Sequence, residues 1–194
     1  MATTVNPPPN NLYKFTSDGA WSGQWSEVDS FYTADSNFTA LKRVAASANA
    51  CGPDTCYAVG GYRNSRTESG LPNSAIPAAG IVSYNLTSQT WYNDTLVGTV
   101  FAGPWDTGEI HFTDIAGSEG ILIATGGYVN NAPLSFEYIY LYDIATKAWY
   151  QQKTTGAIPS LHRIYYCTVG IRGDNLVNKT YEVTSTHVYP TCVC

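Results

Sequence analysis

The sequence predicts an all-β fold made of repeated four-stranded antiparallel sheets that pack side by side. Apolar runs of strand length end on glycine pairs at Gly60 and Gly61 and at Gly126 and Gly127, and an alternating run then leads through a turn to a tryptophan. The two pairs lie 66 residues apart, and a repeated spacing of this kind indicates a repeat architecture. The hydrophobic fraction of 44% and the aromatic fraction of 13% suit a sheet protein with a sizeable core.

The first predicted element is a pair of strands that lacks the first two strands of a four-stranded unit. An alternating run at residues 12–15 is followed by turn residues at 17–19 and then by Trp25. Trp25 precedes Trp91 by 66 residues, which repeats the spacing of the glycine pairs. We therefore predict that residues 10–30 form the last two strands of a unit, a trailing half.

The first complete unit is predicted over residues 41–95. The loop at residues 63–79, between its second and third strands, is polar, contains proline and is long enough to shape a surface. Asn85 opens the turn before the fourth strand by bonding its own backbone. The predicted strands are residues 44–50, 56–62, 81–85 and 91–93, and the repeat signature is Gly60, Gly61, Tyr62 and Trp91.

The second complete unit is predicted over residues 108–153. Its third strand alternates two aliphatic residues with three tyrosines at 138–142, so both faces of the sheet require cover from neighbours. Asp143 opens the turn that precedes the fourth strand. The predicted strands are residues 109–112, 121–128, 138–142 and the run at Trp149, and the repeat signature is Gly126, Gly127, Tyr128 and Trp149.

The last unit is incomplete. A strand at residues 164–169 and a turn at 170–175 predict a leading half over residues 162–183. No second glycine pair of the earlier kind follows. Residues 184–194 are therefore assigned to a divergent tail.

Charge and hydropathy exclude several classes of function. The net charge is −5 and no run of Lys or Arg occurs, so the sequence predicts no nucleic-acid partner. Apolar runs are far shorter than the ~20 residues of a spanning helix, so no membrane span is predicted in this chain. The first residues have neither a charged segment nor an apolar segment of a signal peptide.

Four sequons for N-linked glycosylation point to an extracellular or cell-surface protein. The turn at Asn85 and the end of the Trp91 strand leave room for a glycan. The alternative is that these asparagines are unmodified surface residues. The four candidates are Asn37, Asn85, Asn93 and Asn178.

Five cysteines admit two interpretations. Cys51 and Cys56 flank a Gly-Pro-Asp turn, and they can form a local disulfide in an oxidising compartment. A zinc site that joins them to Cys192 and Cys194 is conceivable, although the spacings differ from those of a zinc ribbon. Cys167 lies in an apolar strand and is most simply a small buried residue.

The motifs of the two units support a specific resemblance. Glycine pairs after an apolar strand, a tyrosine-rich third strand and a spaced tryptophan in the fourth resemble the kelch motif. Several segments are similar to the extracellular kelch-repeat proteins of filamentous fungi, and the similarity covers nearly the whole chain up to about Tyr181. The segments are residues 12–19, 81–88 and 149–156, the last with Pro159, Arg163 and Cys167.

The resemblance implies a partial, open β-propeller of kelch-type four-stranded antiparallel blades. Members of that group have a signal peptide, a full ring of blades and a single membrane span, so it also implies an extracellular or cell-surface location for a full-length, membrane-anchored protein. Propellers close with roughly 4 to 8 blades. Because the sequence supplies two whole units and two halves, we expect it to be a fragment or a truncated gene product.

No catalytic motif, metal site or cofactor site is predicted. His111, His162 and His187 lie in different units without metal-ligand spacing. There is no Gly-x-Ser-x-Gly elbow, and neither glycine pair is followed by the lysine of a phosphate-binding loop. Residues 172–174 spell an adhesion tripeptide, Arg-Gly-Asp, which we interpret as ordinary turn chemistry.

Two functional hypotheses remain. The first is a non-catalytic interaction module of a fungal cell-surface or secreted protein, in which loops at residues 63–79 and 129–137 contact a protein or a cell-wall glycan. The second is a fragment of a galactose-oxidase-like or other glycan-acting propeller enzyme, although the histidines, tyrosines and crosslinked cysteine of that copper enzyme form no local motif here. Tightly bound copper in the full-length protein would favour the second hypothesis.

Overall fold

Strands and turns account for the regular structure in the part of the chain that the computed structural model describes, which is residues 12–28, 32–33, 44–78, 80–94, 105–159, 167–172 and 181–186. The predicted all-β class is therefore confirmed for these residues. In chain order the strands are β1 (Leu12–Ser17), β2 (Gly23–Val28), β3 (Tyr32–Thr33), β4 (Ala48–Cys51), β5 (Thr55–Val59), β6 (Tyr62–Arg63), β7 (Ile76–Pro77), β8 (Ile81–Asn85), β9 (Thr90–Asp94), β10 (Trp105–Asp106), β11 (Glu109–Thr113), β12 (Ile121–Thr125), β13 (Tyr128–Val129), β14 (Ala132–Pro133), β15 (Tyr138–Asp143), β16 (Ala148–Lys153), β17 (Cys167–Arg172) and β18 (Tyr181–Thr186).

Two of the sheets share one topology. Sheet I has the strand order β4-β5-β8-β9, with the short β3 added parallel to the outer edge of β9. Sheet II has the order β11-β12-β15-β16, and all its neighbours are antiparallel. In both sheets the four strands therefore lie side by side in the order in which they occur along the chain. We refer to them as the first to fourth strands of each sheet.

Small two-stranded ribbons leave both sheets between the second and third strands. In sheet I the ribbon pairs β6 with β7. In sheet II it pairs β13 with β14, and β10 pairs with the other edge of β13. The ribbon of sheet II turns through Asn130 and Asn131, which both have positive φ, as a two-residue hairpin requires. The ribbon of sheet I instead encloses residues 64–75.

The ribbons explain where the sequence placed strands incorrectly. Residues 56–62 and 121–128 were predicted as single strands, but β5 ends at Val59 and β12 ends at Thr125. The glycines that follow have φ of 66° and 88° in sheet I and of 53° and 80° in sheet II, so the chain turns there and Tyr62 and Tyr128 begin the ribbons.

The prediction of a turn at residues 170–172 was also wrong, because these residues lie in β17.

The core lies between sheets I and II. We call the face that carries the tryptophan of the fourth strand the tryptophan face of each sheet. Cross-strand partners share a face, so Tyr142 and Trp149 lie on the tryptophan face of sheet II and Val59 and Ile81 lie on the opposite face of sheet I. These residues belong to one buried cluster: Ala48, Val59, Ile81, Trp105, Ile110, Leu122, Ala124, Val129, Tyr140, Tyr142 and Trp149. The tryptophan face of sheet II therefore packs on the opposite face of sheet I.

Two hairpins complete the described structure. β1 pairs with β2, and β17 pairs with β18, both antiparallel. First strands of successive sheets lie side by side, because β11 contacts both β4 and β17. β17 therefore occupies the position of a first strand, next in the series after β4 and β11.

Candidate functional site

The glycine pairs mark equivalent positions in sheets I and II. The carbonyl of Gly61 accepts a hydrogen bond from the backbone N–H of Ala78, and the carbonyl of Gly127 accepts one from Leu134, both at 2.9 Å. A Cβ on Gly61 would lie 2.5 Å from the carbonyl oxygen of Ala45. Only glycine fits here, because the backbone turns with positive φ close to the main chain at Ala45.

Trp105 joins the two glycine pairs. Its indole Nε1 donates a hydrogen bond of 2.8 Å to the carbonyl of Gly126, and its own carbonyl accepts one of 2.8 Å from the N–H of Gly61. The side chain is only 3% exposed. Trp105 therefore ties the end of the second strand of sheet I to that of sheet II. The sequence pattern did not predict this role for Trp105.

A second link joins equivalent backbone positions of the two sheets. Ala46 and Thr107 each lie two residues before the first strand, and both have positive φ, at 56° and 55°. The N–H of Thr107 donates a hydrogen bond of 3.0 Å to the carbonyl of Ala46. Successive units are thus connected through their main chains at the same place in each unit.

The predicted tryptophans all lie in cross-strand aromatic pairs. Trp91 stands opposite Tyr84 and Trp149 stands opposite Tyr142, with ring centroids 4.6 Å and 5.2 Å apart. Phe15 and Trp25 make the same contact across β1 and β2, with their centroids 5.2 Å apart. β1 and β2 therefore carry the same kind of aromatic pair as the third and fourth strands of sheets I and II.

The loop of sheet I is held by its own hydrogen bonds. Residues 64–75 include a turn in which the N–H of Arg66 donates to the side-chain oxygen of Asn64, and the hydroxyl of buried Thr67 donates to the carbonyl of Asn64. Arg63 and Glu68 form an ion pair of 3.3 Å between partly buried side chains. The N–H of Ser65 donates to the carbonyl of Pro72. The described part of this loop, residues 63–78, is therefore a folded surface feature.

Asn85 caps the turn that connects the third and fourth strands of sheet I. Its Oδ1 accepts hydrogen bonds from the N–H groups of Thr87 at 3.0 Å and Ser88 at 2.8 Å. Asp143 uses the same oxygen in sheet II to accept from the N–H of Thr146 at 3.1 Å. A glycan attached to Nδ2 of Asn85 leaves this acceptor in place. Asn93 lies within β9 and is half-buried.

We expect Asn85→Asp to remove a glycan at this position without destabilising the turn, because Asp143 already supplies the same acceptor in sheet II. Asn85→Ala should remove the glycan and also cost about 1 kcal/mol, since two backbone N–H groups lose their acceptor. Both variants are to be secreted from a eukaryotic host behind a foreign signal peptide. Intact mass reports the glycan and thermal unfolding reports the turn. An unchanged mass for both variants would contradict modification at Asn85.

The structure joins Cys51 and Cys56 by a disulfide across the hairpin of β4 and β5. The remaining sites suggested by the sequence lie outside the described residues: Asn37, Asn178, His162, His187, Cys192 and Cys194, together with residues 173–174 of the adhesion tripeptide and residues 187–194 of the tail. For Cys167 and Arg172 only the backbone is described.

Among the residues that the structure describes, no group of three or more His, Cys, Asp or Glu side chains is placed to hold a metal ion. The same residues contain no helix long and apolar enough to cross a membrane. His111 lies in β11 with its imidazole half-buried, and this burial lowers its pKa. A cavity of about 500 Å³ lies on the tryptophan face of sheet I between Trp91 and Lys14 of β1.

We expect the buried carboxyl group of Glu109 to lower the free energy of unfolding as the pH rises from about 4.5 to 6. Burial raises its pKa to about 6, so over this range the unfolded chain loses the proton that the folded chain retains. Glu109→Gln should therefore be more stable than the wild type at pH 7 and equal to it at pH 4. His111 acts in the opposite direction, because a lowered pKa removes stability as the pH falls. Urea midpoints from pH 4 to pH 8 test this, and parallel curves for both proteins would contradict it.

The described part of the chain thus defines an all-β protein with two equivalent four-stranded sheets that are tied together through Trp105 and through main-chain hydrogen bonds. No protein-family model matches the chain, and no curated protein matches it.

Proposed function

We propose that this chain is a non-catalytic interaction module, built as a partial, open β-propeller of kelch-type blades and belonging to a secreted or cell-surface protein of a fungus. One observation carries the proposal: equivalent elements of sheets I and II occur in the same order, and the ribbons leave both sheets at the same point. Sheets that stack with the tryptophan face of one on the opposite face of the other, and with their first strands side by side, suit a radial arrangement. This arrangement brings the loops of neighbouring sheets to one end.

The ribbons supply the contact surface of the proposal. We call residues 64–75 and the turn at Asn130 and Asn131 the ribbon surface. Both parts are anchored by the same hydrogen bond to the second glycine of a pair, and yet they differ in length. A variable loop on a constant anchor is typical of recognition surfaces carried by a rigid scaffold.

The composition of the ribbon surface favours a protein partner over a glycan. Residues 64–75 contain one arginine, one glutamate and several amide and hydroxyl side chains, but no aromatic residue. Sugar rings are recognised largely by stacking on exposed aromatic rings, whereas ion pairs and hydrogen bonds suit a peptide surface. The partly buried ion pair of Arg63 and Glu68 holds this charged surface in one shape.

An exchange of loops tests the proposal. Replacing residues 64–75 by Asn-Asn gives the ribbon of sheet I the turn already present in sheet II, so the fold should be retained. The matched control is Asn131→Gly, which keeps a two-residue turn of the same type. Immobilised wild type, exchange variant and control are incubated with solubilised fungal surface proteins, and retained proteins are identified and then purified for titration.

We expect the purified partner to bind the wild type and the control equally and to bind the exchange variant at least tenfold more weakly. Cosedimentation with insoluble chitin and β-glucan is measured in parallel. Loop-dependent binding to a polysaccharide without a protein partner would contradict the protein assignment. If neither kind of binding depends on the loop, the interaction surface has been placed wrongly.

A further inference from the structure

The space between sheets I and II is apolar at one end of the sheets and polar at the other. At the end where the ribbons leave, Val59 and Ile81 are each 1% exposed and belong to the core. At the other end, where the third strands turn into the fourth, a cavity of about 210 Å³ lies between the two sheets. We call it the inter-sheet cavity. Because it lies at the end of β5 away from the ribbon, it is separate from the ribbon surface.

Sheet I supplies one wall of the inter-sheet cavity. Cross-strand partners place Tyr57, Ser83 and Tyr92 in one row across β5, β8 and β9, and all three line the cavity. Thr55 and Asn85 form the next row of the same wall. Both rows lie on the face that packs on sheet II, because residues two apart on a strand share a face. The wall therefore presents hydroxyl, phenol and amide groups to the cavity.

Sheet II supplies the other wall from its tryptophan face and its turns. Tyr142 lies on that face, and Ile144 and Lys147 lie in the turn between the third and fourth strands. Glu119 reaches the cavity from the turn between the first and second strands. Glu119 and Lys147 are both exposed, so one negative and one positive group lie at the rim. The charges of the lining cancel, which suits a neutral ligand.

The polar row of sheet I is not a requirement of this kind of sheet. When the sheets are aligned on the aromatic pair of their third and fourth strands, Leu141 takes the position of Ser83, and Ile123 takes the position of Tyr57. The same row is therefore aliphatic in sheet II. Polar side chains between two sheets are destabilising unless they are hydrogen-bonded, so the polar row of sheet I needs a partner.

Ser83 gives a second, independent indication of a ligand. It lines the cavity and is only 7% exposed. Within the part of the chain that the structure describes, its hydroxyl group has no hydrogen-bond partner. Buried side-chain hydroxyl groups of native proteins have a partner in the large majority of cases. A polar molecule in the cavity would supply the missing hydrogen bond.

We infer that the inter-sheet cavity binds a single neutral sugar ring in the pyranose form. A pyranose carries hydroxyl groups around its edge and C–H groups on its two faces. The polar groups of Thr55, Ser83 and Asn85 suit the hydroxyl edge. The ring of Tyr92, which is 40% exposed, suits a C–H face by stacking.

The size of the cavity also selects a small ligand. Pockets for drug-sized molecules have volumes of roughly 300–1,000 Å³, and the inter-sheet cavity has about 210 Å³. It therefore accommodates one sugar ring and excludes a nucleotide or a folded peptide. Since its lining differs from that of the ribbon surface, sugar binding here is independent of the protein partner proposed above.

Titration with monosaccharides tests the inference. The full chain is produced in a bacterial host that forms disulfides, so that Asn85 carries no glycan. Glucose, galactose, mannose and N-acetylglucosamine are titrated separately, and binding is followed by saturation-transfer NMR and calorimetry. At least one of them should bind with a Kd in the millimolar range, since a single small ring makes few contacts. A wild type that binds none of them would overturn the inference, and so would binding of zwitterionic glycine alone.

Two substitutions and a matched control locate the site. Ser83→Leu introduces the residue that sheet II has at this position, so it should fill the cavity, abolish detectable binding and leave Tm no lower. Tyr92→Ala removes the stacking ring and should weaken binding at least tenfold. Tyr150→Ala is the control, because Tyr150 takes the position of Tyr92 in sheet II, is 53% exposed and does not line the cavity.

The control should bind sugar as the wild type does. If Ser83→Leu fails to fold, Tyr92→Ala still decides, because Tyr92 is already exposed. Unchanged affinity in either variant, once circular dichroism shows it to be folded, would overturn the inference, and so would an equal loss in Tyr150→Ala. The exchange of residues 64–75 should leave sugar binding unchanged, so failure of this site and failure of partner recognition are distinguishable.

The sugar can come from solution or from a glycan attached to Asn85, which itself lines the cavity. A second arm compares protein secreted from a eukaryotic host with its Thr87→Ala variant, which removes the sequon and keeps the backbone N–H that bonds to Asn85. If the attached glycan fills the cavity, only the variant should bind added sugar. If the ligand comes from solution, both should bind it equally. Loss of binding in both would overturn the inference.

Discussion

Trp105→Ala is expected to destabilise the protein by about 3–5 kcal/mol, the range seen for removal of a large buried aromatic side chain. The indole is 3% exposed and belongs to the core between sheets I and II. Its loss also leaves the carbonyl of Gly126 without the indole donor. Because domains are typically stable by only 5–15 kcal/mol, this is a large part of the total.

The measurement is urea unfolding at one fixed protein concentration, followed by circular dichroism. Trp21→Ala removes an exposed tryptophan and should change the free energy of unfolding by no more than about 0.5 kcal/mol. Trp105→Phe keeps most of the buried area and loses the hydrogen bond, so it should fall between the two. If Trp105→Ala and Trp21→Ala had equal stability, Trp105 would not be the link that we describe.

Gly127→Ala is expected to cost about 2–5 kcal/mol, through two effects that can be separated. The residue has φ of +80°, which costs an L-residue about 1–2 kcal/mol. The added Cβ would also lie 2.4 Å from the carbonyl oxygen of Asp106 and 2.7 Å from the backbone nitrogen of Gly108. Relief of such overpacking requires backbone shifts that cost a further 1–3 kcal/mol or so.

Gly70→Ala is the control, because it has the conformational cost without the steric overlap. The difference between the two variants measures the cost of the overlap. Gly70 has φ of +88°, but a Cβ there would meet no atom within 4 Å. The control should therefore show only the conformational cost, about 1–2 kcal/mol. Urea unfolding of both variants measures the difference, and equal losses would mean that the close approach of the strand at Asp106 contributes nothing.

The side-chain pattern was sufficient to predict the repeated sheets. The strands around Ile121 and Tyr138 are long apolar or alternating runs, and the tryptophans recur at the same point after them. The disulfide partners Cys51 and Cys56 were proposed from proximity across a turn, and they are joined in the structure. The propeller itself, the location of the protein and its partner remain proposals.

Other features leave no pattern in the sequence because they depend on main-chain contacts between distant residues. The ribbons and β3 are two residues per strand, too short to show alternation. Trp105 stands alone between Pro104 and Asp106, and its role depends on carbonyl and N–H groups of two glycine pairs. An isolated tryptophan near the middle of the repeat was the one available signal.

The unequal ribbons have a practical consequence. The loop of the ribbon has twelve residues in sheet I and two in sheet II, and the same hydrogen bond to the second glycine of a pair anchors both ribbons. The length of the loop can therefore change without a change in the core. Foreign peptides grafted between Arg63 and Ile76 should be displayed without loss of folding. The position is therefore a natural choice for building a library of engineered binders.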